Sequence, residues 1–293
     1  MKIATAAYAP EWHPDTGALD RKLDAWVADA ASQGAALLVF PEYAGIEAAL
    51  IGQPSWPLSG ADWAARMADA ADDHAARIAG LAQRHRVHIL AGSCCAHEAG
   101  QIVNRAWLAA PSGQLAAQDK IIPTPYERQS MGVTGGSGLM LIETALGRVG
   151  ILICYDSEFP LLARSFVAAG ADMLLVPSCT DQPAGQTRVR QSARARAIEG
   201  QCLVVQSPLV GQVPGCEVVD SSTGRAAIFC PPDYGLPPDG IVAQGATDEP
   251  AWVIADAEPA AIAAPRGQGQ VGNYTHWPEQ VRHSGVVTTL RLD

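Results

Sequence analysis

The segment GRVGILICYDSEFP, Gly147 to Pro160, carries a nearly continuous apolar run that stops at Cys154, after which polar residues follow at once. Such a run reads as a buried strand, with Asp156 or Ser157 as the N-cap of a helix after it. Cys154 then occupies a strand-to-helix turn. There the positive end of a helix dipole favours the thiolate, which is the nucleophilic form. Backbone N–H groups of the turn, including that of Tyr155, could face an oxyanion forming on an attacked carbonyl. The competing reading is a structural cysteine, since free thiols are commonly buried.

Two other expected strands end in charged residues. Ala35 to Phe40 is followed by Pro41, Glu42 and Tyr43, so a carboxylate stands where the run stops. Desolvation there would raise its pKa and suit it to act as a general base toward a thiol or water. Lys120 closes a third expected strand and is followed by IIPTPYE, ending at Glu127. An ammonium can stabilise an oxyanion, and a second carboxylate can hold the ammonium or the base in place. Taken singly, each residue also reads as an ordinary surface charge at a strand end.

The elements that must position these groups alternate between strand and helix. Strands are expected at Lys2 to Tyr8, Ala35 to Phe40, Val87 to Gly92, Val149 to Ile153, Met173 to Val176 and Leu203 to Gln206. Helices are expected at Gly17 to Ala31, Asp62 to Arg84, Phe159 to Ala169 and Thr187 to Gly200, all Ala-rich or with apolar residues at three- and four-residue spacing. This alternation indicates an α/β fold. Val103 to Ala109 and Gln114 to Lys120 flank a Pro-Ser-Gly turn and read as a hairpin that leaves Lys120 at a strand end. Gly132 to Gly138 lacks the spacing of a phosphate-binding loop and reads as a mobile loop. Pro231 to Pro250 reads as a long surface loop, and the chain after Pro265 as an extended tail. LLVFPEY at Leu37 to Tyr43 is echoed by LLVPSCT at Leu174 to Thr180, which hints at two similarly built halves.

Composition narrows the function classes. With 293 residues, 48% apolar and 17% charged, the chain reads as one globular domain, residues 1–293, with no linker dividing it. A net charge of −10 argues against a nucleic-acid partner. Arg188, Arg190, Arg194 and Arg196 fit a solvated or acid-paired helix face better than a phosphate-binding patch. No apolar run approaches the roughly 20 residues needed to span a bilayer, and Met1 to Pro10 reads as a strand rather than a leader. The seven cysteines are irregularly spaced, without a CxxC pair. They point to a reducing, cytoplasmic setting and to neither a disulfide framework nor a metal site.

FPEY around Glu42, DKIIPTPYE around Lys120 and Glu127, and ILICYDSEFP around Cys154, in that order, resemble the Glu-Lys-Cys motifs of the nitrilase superfamily. GADMLLVPS at Gly170 to Ser178 and ARARAIEGQCLVVQ at Ala193 to Gln206 extend the resemblance over about the first seven tenths of the chain. The resemblance implies a four-layer α-β-β-α sandwich and a homodimer or higher homo-oligomer. It also implies a hydrolase of small amides that works through a thioester without cofactor or metal. Cys154 would be the nucleophile, Glu42 the base, Lys120 the oxyanion stabiliser and Glu127 the supporting carboxylate, with Tyr43, Cys179 and Thr180 lining the pocket. Leu161 departs from the glutamate that many relatives carry there. Nitrile hydrolysis, carbamoyl cleavage and acyl transfer by the same triad remain open, as do an interaction module and a thiol redox sensor.

Overall fold

The computed structural model describes residues 1–283, 285 and 287–292. Side-chain alternation, the period-two signature of a strand, divides the first strand between two cores. Ile3 of β1 (Lys2–Ala7) enters one core, while Ala4 and Ala6 enter the other. The first sheet also takes β2 (Ala35–Val39), β3 (His88–Glu98), β4 (Gln101–Ala109), β5 (Leu115–Asp119) and the short β6 (Val133–Thr134). The second is built from β7 (Ile142–Thr144), β8 (Gly147–Ile151), β9 (Met173–Ser178), β10 (Leu203–Pro208), β11 (Ala227–Phe229) and β12 (Ile241–Gln244). The chain then returns to the first sheet as β13 (Ala251–Asp256), antiparallel to β1.

Helices cover both outer faces. α1 (Thr16–Ser32), α2 (Gly60–Asp69) and α3 (Ala71–His85) share a core with the outer face of the first sheet through residues such as Leu23, Trp63 and Ile78. After α4 (Pro125–Gln129), the helices α5 (Pro160–Ala168) and α6 (Pro183–Gly200) close the second sheet through Phe166, Val189 and Ala193. Ile3, Leu37, Val39 and Leu90 of the first sheet share that second core, so the two sheets pack face to face. The architecture is thus the expected α-β-β-α sandwich. Strands β9 and β10 are buried on both faces, which explains their apolar runs, Met173 to Val176 and Leu203 to Val205. Among the described residues, no helix is long and apolar enough to cross a membrane.

Several local expectations are corrected. The helix expected over Asp62 to Arg84 is two helices separated at Ala70; no proline or glycine marks the break, and α2 begins with a Ser59–Asp62 capping box. The Pro231 to Pro250 segment contains β12, whose apolar Ile241 and Ala243 pair with β11 amid dense turn residues. The Gly132 to Gly138 segment is tied down rather than free. It contains β6, and the Gly136 amide donates to the Lys120 carbonyl at 2.8 Å. A Cβ on Gly135 would lie 2.4 Å from the Ile121 carbonyl oxygen, so only glycine permits that approach. Beyond Pro265 the chain forms two short helices, α8 (Pro265–Gln268), just after α7 (Pro259–Ala263), and α9 (Trp277–Val281), each opened by a proline near its N-terminus. The α6 arginines, by contrast, fit the expected acid-paired face: Arg188 pairs with Glu158 and Arg196 with Glu199, while Arg190 reaches Gln244 and the Phe229 ring.

Strand direction decides where functional groups can meet. β1, β2 and β3 are parallel, and so are β8, β9 and β10. The β4–β5 hairpin, with Gly113 in its turn at φ +84°, brings β5 back into the direction of β3. At this end the sheets are stitched together: Ser207 Oγ lies 2.8 Å from the Ala6 carbonyl and 3.0 Å from that of Val39, and Tyr8 N donates to Pro208 O at 3.1 Å. The C-terminal ends of β2, β5, β8 and β9 therefore open onto one region, the usual location of ligand sites in α/β sheets.

Gly92 fixes the approach of β3 to the residues after β2. It has φ +73°, and a Cβ there would lie 2.0 Å from the Pro41 carbonyl oxygen. The next residue holds the Glu42 turn, with Ser93 N donating to Pro41 O and Ser93 Oγ accepting from Tyr43 N, each at 3.2 Å. Gly92→Ala is expected to cost about 3 kcal/mol through strain and steric overlap, measured by urea unfolding. A wild-type midpoint would refute this role.

Candidate active site

Lys120 follows β5 directly, and its backbone is held on three sides. Lys120 N donates to Asn104 O at 2.8 Å, Gly136 N donates to Lys120 O, and the next two amides, Ile121 N and Ile122 N, donate to Asp156 at 3.1 and 2.8 Å. Asp156 belongs to the turn that carries Cys154, so its carboxylate links the two sheets at the site. This corrects its expected role as an N-cap. The residues from Cys154 to Glu158 form a 3-10 turn, α5 begins only at Pro160, and its N-cap position is Phe159. Burial pushes Asp156 up to about 6 despite the two amides that stabilise its charge.

The Lys120 side chain is 1% exposed and lies between two buried carboxylates. Its Nζ donates to Glu42 Oε1 at 2.8 Å and to Glu127 Oε2 at 2.7 Å. Burial alone would lower the ammonium, but the two carboxylates outweigh it and hold Lys120 protonated well above its ordinary pKa. Glu127 begins from the opposite tendency: burial would raise it, yet Lys120, Thr124 N and Tyr43 Oη outweigh burial and bring it down to about 2. Thr124 and Glu127 form a capping box on α4, which turns the Glu127 carboxylate back toward Lys120. Asn104, on β4, donates from Nδ2 to both Glu42 Oε1 and Glu127 Oε1 at 2.9 Å.

Glu42 differs from Glu127 in the direction of its shift. Burial raises its carboxyl above the ordinary value in spite of the Lys120 charge. Its second oxygen accepts from Cys179 N at 2.9 Å, a bond that joins the ends of β2 and β9. A desolvated carboxylate of raised basicity, fixed on both oxygens, has the properties of a general base.

Cys154 has φ +46°, a left-handed conformation rare for a residue with a Cβ and of a kind found at functional turns. Its thiol donates to the Cys179 carbonyl at 3.6 Å. Burial first, and then the neighbouring Glu42 carboxylate, push the thiol well above its ordinary pKa, although Lys120 pulls the other way. Burial and Glu42 both favour the neutral thiol over the thiolate. A helix dipole therefore does not generate a thiolate here, and the sulfur needs a base.

These groups form the floor of a cavity of about 720 Å³ lined also by Tyr126, Met131, Tyr155, Val189 and Val218. Tyr43, Cys179 and Thr180 line it as well. Tyr43 takes a further part, because its hydroxyl donates to Glu127 Oε1 at 2.7 Å. Thr180 Oγ1 is turned onto Thr223 O at 2.7 Å. Leu161 lies exposed on α5, outside the cavity lining. Sequence reasoning missed Asn104, although a buried asparagine within a strand is unusual enough to flag it. It also missed the Thr124–Glu127 capping box, whose T-P-Y-E pattern is readable. Elsewhere, Glu11, His13 and Glu47 have metal-ligand types, but the Lys22 ammonium already occupies that cluster, 2.7 Å from Glu47 Oε1.

Comparison with known proteins gives a consistent picture. The family model for carbon-nitrogen hydrolases matches residues 2–282. The probable hydrolase YhcX of Bacillus subtilis is 34% identical over 206 residues, 70% of this chain, and the match spans 40% of that protein's length. A bifunctional nitrilase/nitrile hydratase of Lupinus angustifolius is 26% identical over 91% of this chain and 75% of its own. An amidase from Nesterenkonia sp. AN1, bearing the acetamide moiety of fluoroacetamide on its active-site cysteine, superposes with a TM-score of 0.70 at 21% identity. That superposition covers 97% of this chain and 96% of the amidase, and shows a shared fold.

The depressed Glu127 links stability to acid. Its contribution is fully present above pH 4.5, the ordinary carboxyl value, and is lost as pH falls through about 2. Urea melts across this range are expected to show Glu127→Gln less stable than the parent by about 3 kcal/mol near neutrality. The gap should narrow toward pH 2; a gap independent of pH would contradict the assignment.

Proposed function

The chain belongs to the carbon–nitrogen hydrolase family, and from that premise we propose that it hydrolyses a non-peptide carbon–nitrogen bond of a small amide, with Cys154 as nucleophile. The observation that carries this reading is the convergence of the Cys154 thiol, the Glu42 carboxylate and the Lys120 ammonium at the floor of one cavity.

In the proposed reaction Glu42 takes the thiol proton and Sγ attacks the substrate carbonyl carbon. Negative charge moves to the carbonyl oxygen, beside the Lys120 ammonium and the Tyr155 N–H. Protonated Glu42 returns its proton to the nitrogen as the C–N bond breaks, releasing ammonia or an amine and leaving a thioester. Glu42 then takes a proton from water as the water oxygen adds to the thioester. Collapse breaks the C–S bond, the acid leaves, and the proton returns to sulfur. One base serves both halves because the attacking water takes the place vacated by the departing amine, within reach of the carboxylate that protonated that amine. Glu127, Asn104 and Tyr43 hold Lys120 and Glu42 in place.

A second reading, attack on a nitrile carbon by the same thiol, is favoured by the similarity to the nitrilase/nitrile hydratase over 91% of the chain. The charge that Glu42 and Glu127 stabilise on Lys120 supports amides, since in the proposed reaction it would meet the full oxyanion that an amide forms. We further propose that the whole chain works as one unit, as a homodimer, in the cytoplasm. The apolar Leu161 and Ile198 exposed on α5 and α6 support pairing, and the seven free thiols support a reducing compartment.

With a panel of small amides and nitriles, ammonia release from amides is expected. Cys154→Ala should abolish both turnover and the acyl adduct seen by intact mass while leaving the protein folded. Glu42→Gln and Lys120→Ala should each lower kcat by about 10²–10³. Full activity in Cys154→Ala would sink the mechanism, and turnover of nitriles alone would favour the second reading. Sedimentation at micromolar concentration should show a dimer; monomer alone would refute the assembly.

A further inference from the structure

The charges around the cavity are strongly one-sided. Above the buried floor, its lining includes four carboxylates, Glu158, Asp181, Glu217 and Asp220, against the single cation Arg188. Arg188 is committed to Glu158, with Nε 3.3 Å from Oε2, so that pair cancels locally. Asp181, Glu217 and Asp220 belong to no ion pair among the described residues. The floor offers no compensation either, because Lys120 already lies between two carboxylates.

The remaining carboxylates sit beside aromatic rings. Tyr126 Oη donates to Glu217 Oε1 at 2.9 Å, joining α4 to the loop after β10 across the lining, and Asp220 is near enough to act on the same phenol. Tyr155 and Val218 line the same cavity, with Met131 and Val189. Carboxylates combined with tyrosine rings are the groups that recognise an ammonium or guanidinium, by charge and by cation–π attraction. Apolar side chains in the same lining suit a short methylene spacer.

We infer that the substrate is a small amide with a cationic group at the end opposite the scissile bond, the amide lying at Cys154 and the cation among Asp181, Glu217 and Asp220. The inference rests on the hydrolase reading for the position of the amide. The acidic lining raises the local concentration of cationic amides and disfavours amides bearing a carboxylate. Exposed carboxylates are screened by salt, so the discrimination weakens as ionic strength rises.

The test compares three amides of similar length: 5-aminopentanamide, hexanamide and 4-carbamoylbutanoate. Turnover is measured on the parent protein, and binding on Cys154→Ala. The cationic amide is expected to exceed the neutral one by about tenfold in kcat/KM and in affinity at low salt, with the anionic amide weakest and the spread shrinking in 0.5 M NaCl, where the Debye length is only about 4 Å. Glu217→Gln combined with Asp220→Asn should reduce the cationic-to-neutral ratio severalfold. Equal or reversed preference overturns this inference, whatever the turnover. Cationic preference in binding without turnover of any amide counts against the hydrolase reading alone, and failure to bind any of the three counts against both.

Discussion

Placing an ammonium out of water costs several kcal/mol even after the protein relaxes, and placing two carboxylates beside it adds to that cost unless every charge is paired and hydrogen-bonded. The site meets this condition at Glu127, whose two oxygens accept from Lys120, Asn104, Tyr43 and Thr124. Those donors come from β4, from the turn after β2 and from the start of α4. The pairing of Lys120 therefore requires the hairpin register, the left-handed turn at Tyr43 and the α4 capping box to coexist. Much of the first sheet's geometry at this end can be understood as holding one buried cation in place.

A fixed cation changes what the other groups must do. Lys120 stays protonated, so its charge is available throughout a reaction without reorganisation. Cys154 and Glu42 are both shifted upward, which leaves the proton on sulfur at rest and makes the carboxylate a stronger base. In the proposed reaction negative charge would pass from Glu42 to sulfur and on to a substrate oxygen while remaining close to the same ammonium. The buried net charge need not change on the way. That economy matters in a site shielded from solvent, where creating a new unpaired charge would be costly.

The two sheets contribute separate parts and are locked together where those parts meet. The first supplies Glu42, Lys120 and Asn104; the second supplies Cys154 and Cys179. Asp156 reaches from the second to the amides after Lys120, and Cys179 N reaches across to Glu42. The echo between LLVFPEY and LLVPSCT has a structural counterpart here, since Glu42, three residues after β2, and Cys179, directly after β9, hold equivalent places in the two segments and are joined by that last bond. The cavity's outer lining has another origin: Glu217, Val218 and Asp220 come from the irregular chain between β10 and β11. Floor and mouth can thus vary independently.

The sequence by itself determined the strand–helix alternation, because buried parallel strands and amphipathic helices leave different apolar periods. It also exposed Glu42 and Cys154, because each stands where an apolar run stops, while Lys120 and Glu127 stood out through the resemblance of the three motifs taken together. Features resting on distant partners were not legible. β13 pairs with a strand some 250 residues earlier, and nothing in AWVIAD states that partner. Asn104 becomes important only when β4 sets it beside two carboxylates from other elements, and Asp156 looked like a cap until its amide partners lay across the sheet boundary. The ionisation states were decided by tertiary structure alone. A position next to a helix suggested a thiolate, whereas burial beside Glu42 favours the neutral thiol of Cys154. Desolvation and Coulomb energy depend on three-dimensional distance, which residue spacing along a chain does not encode.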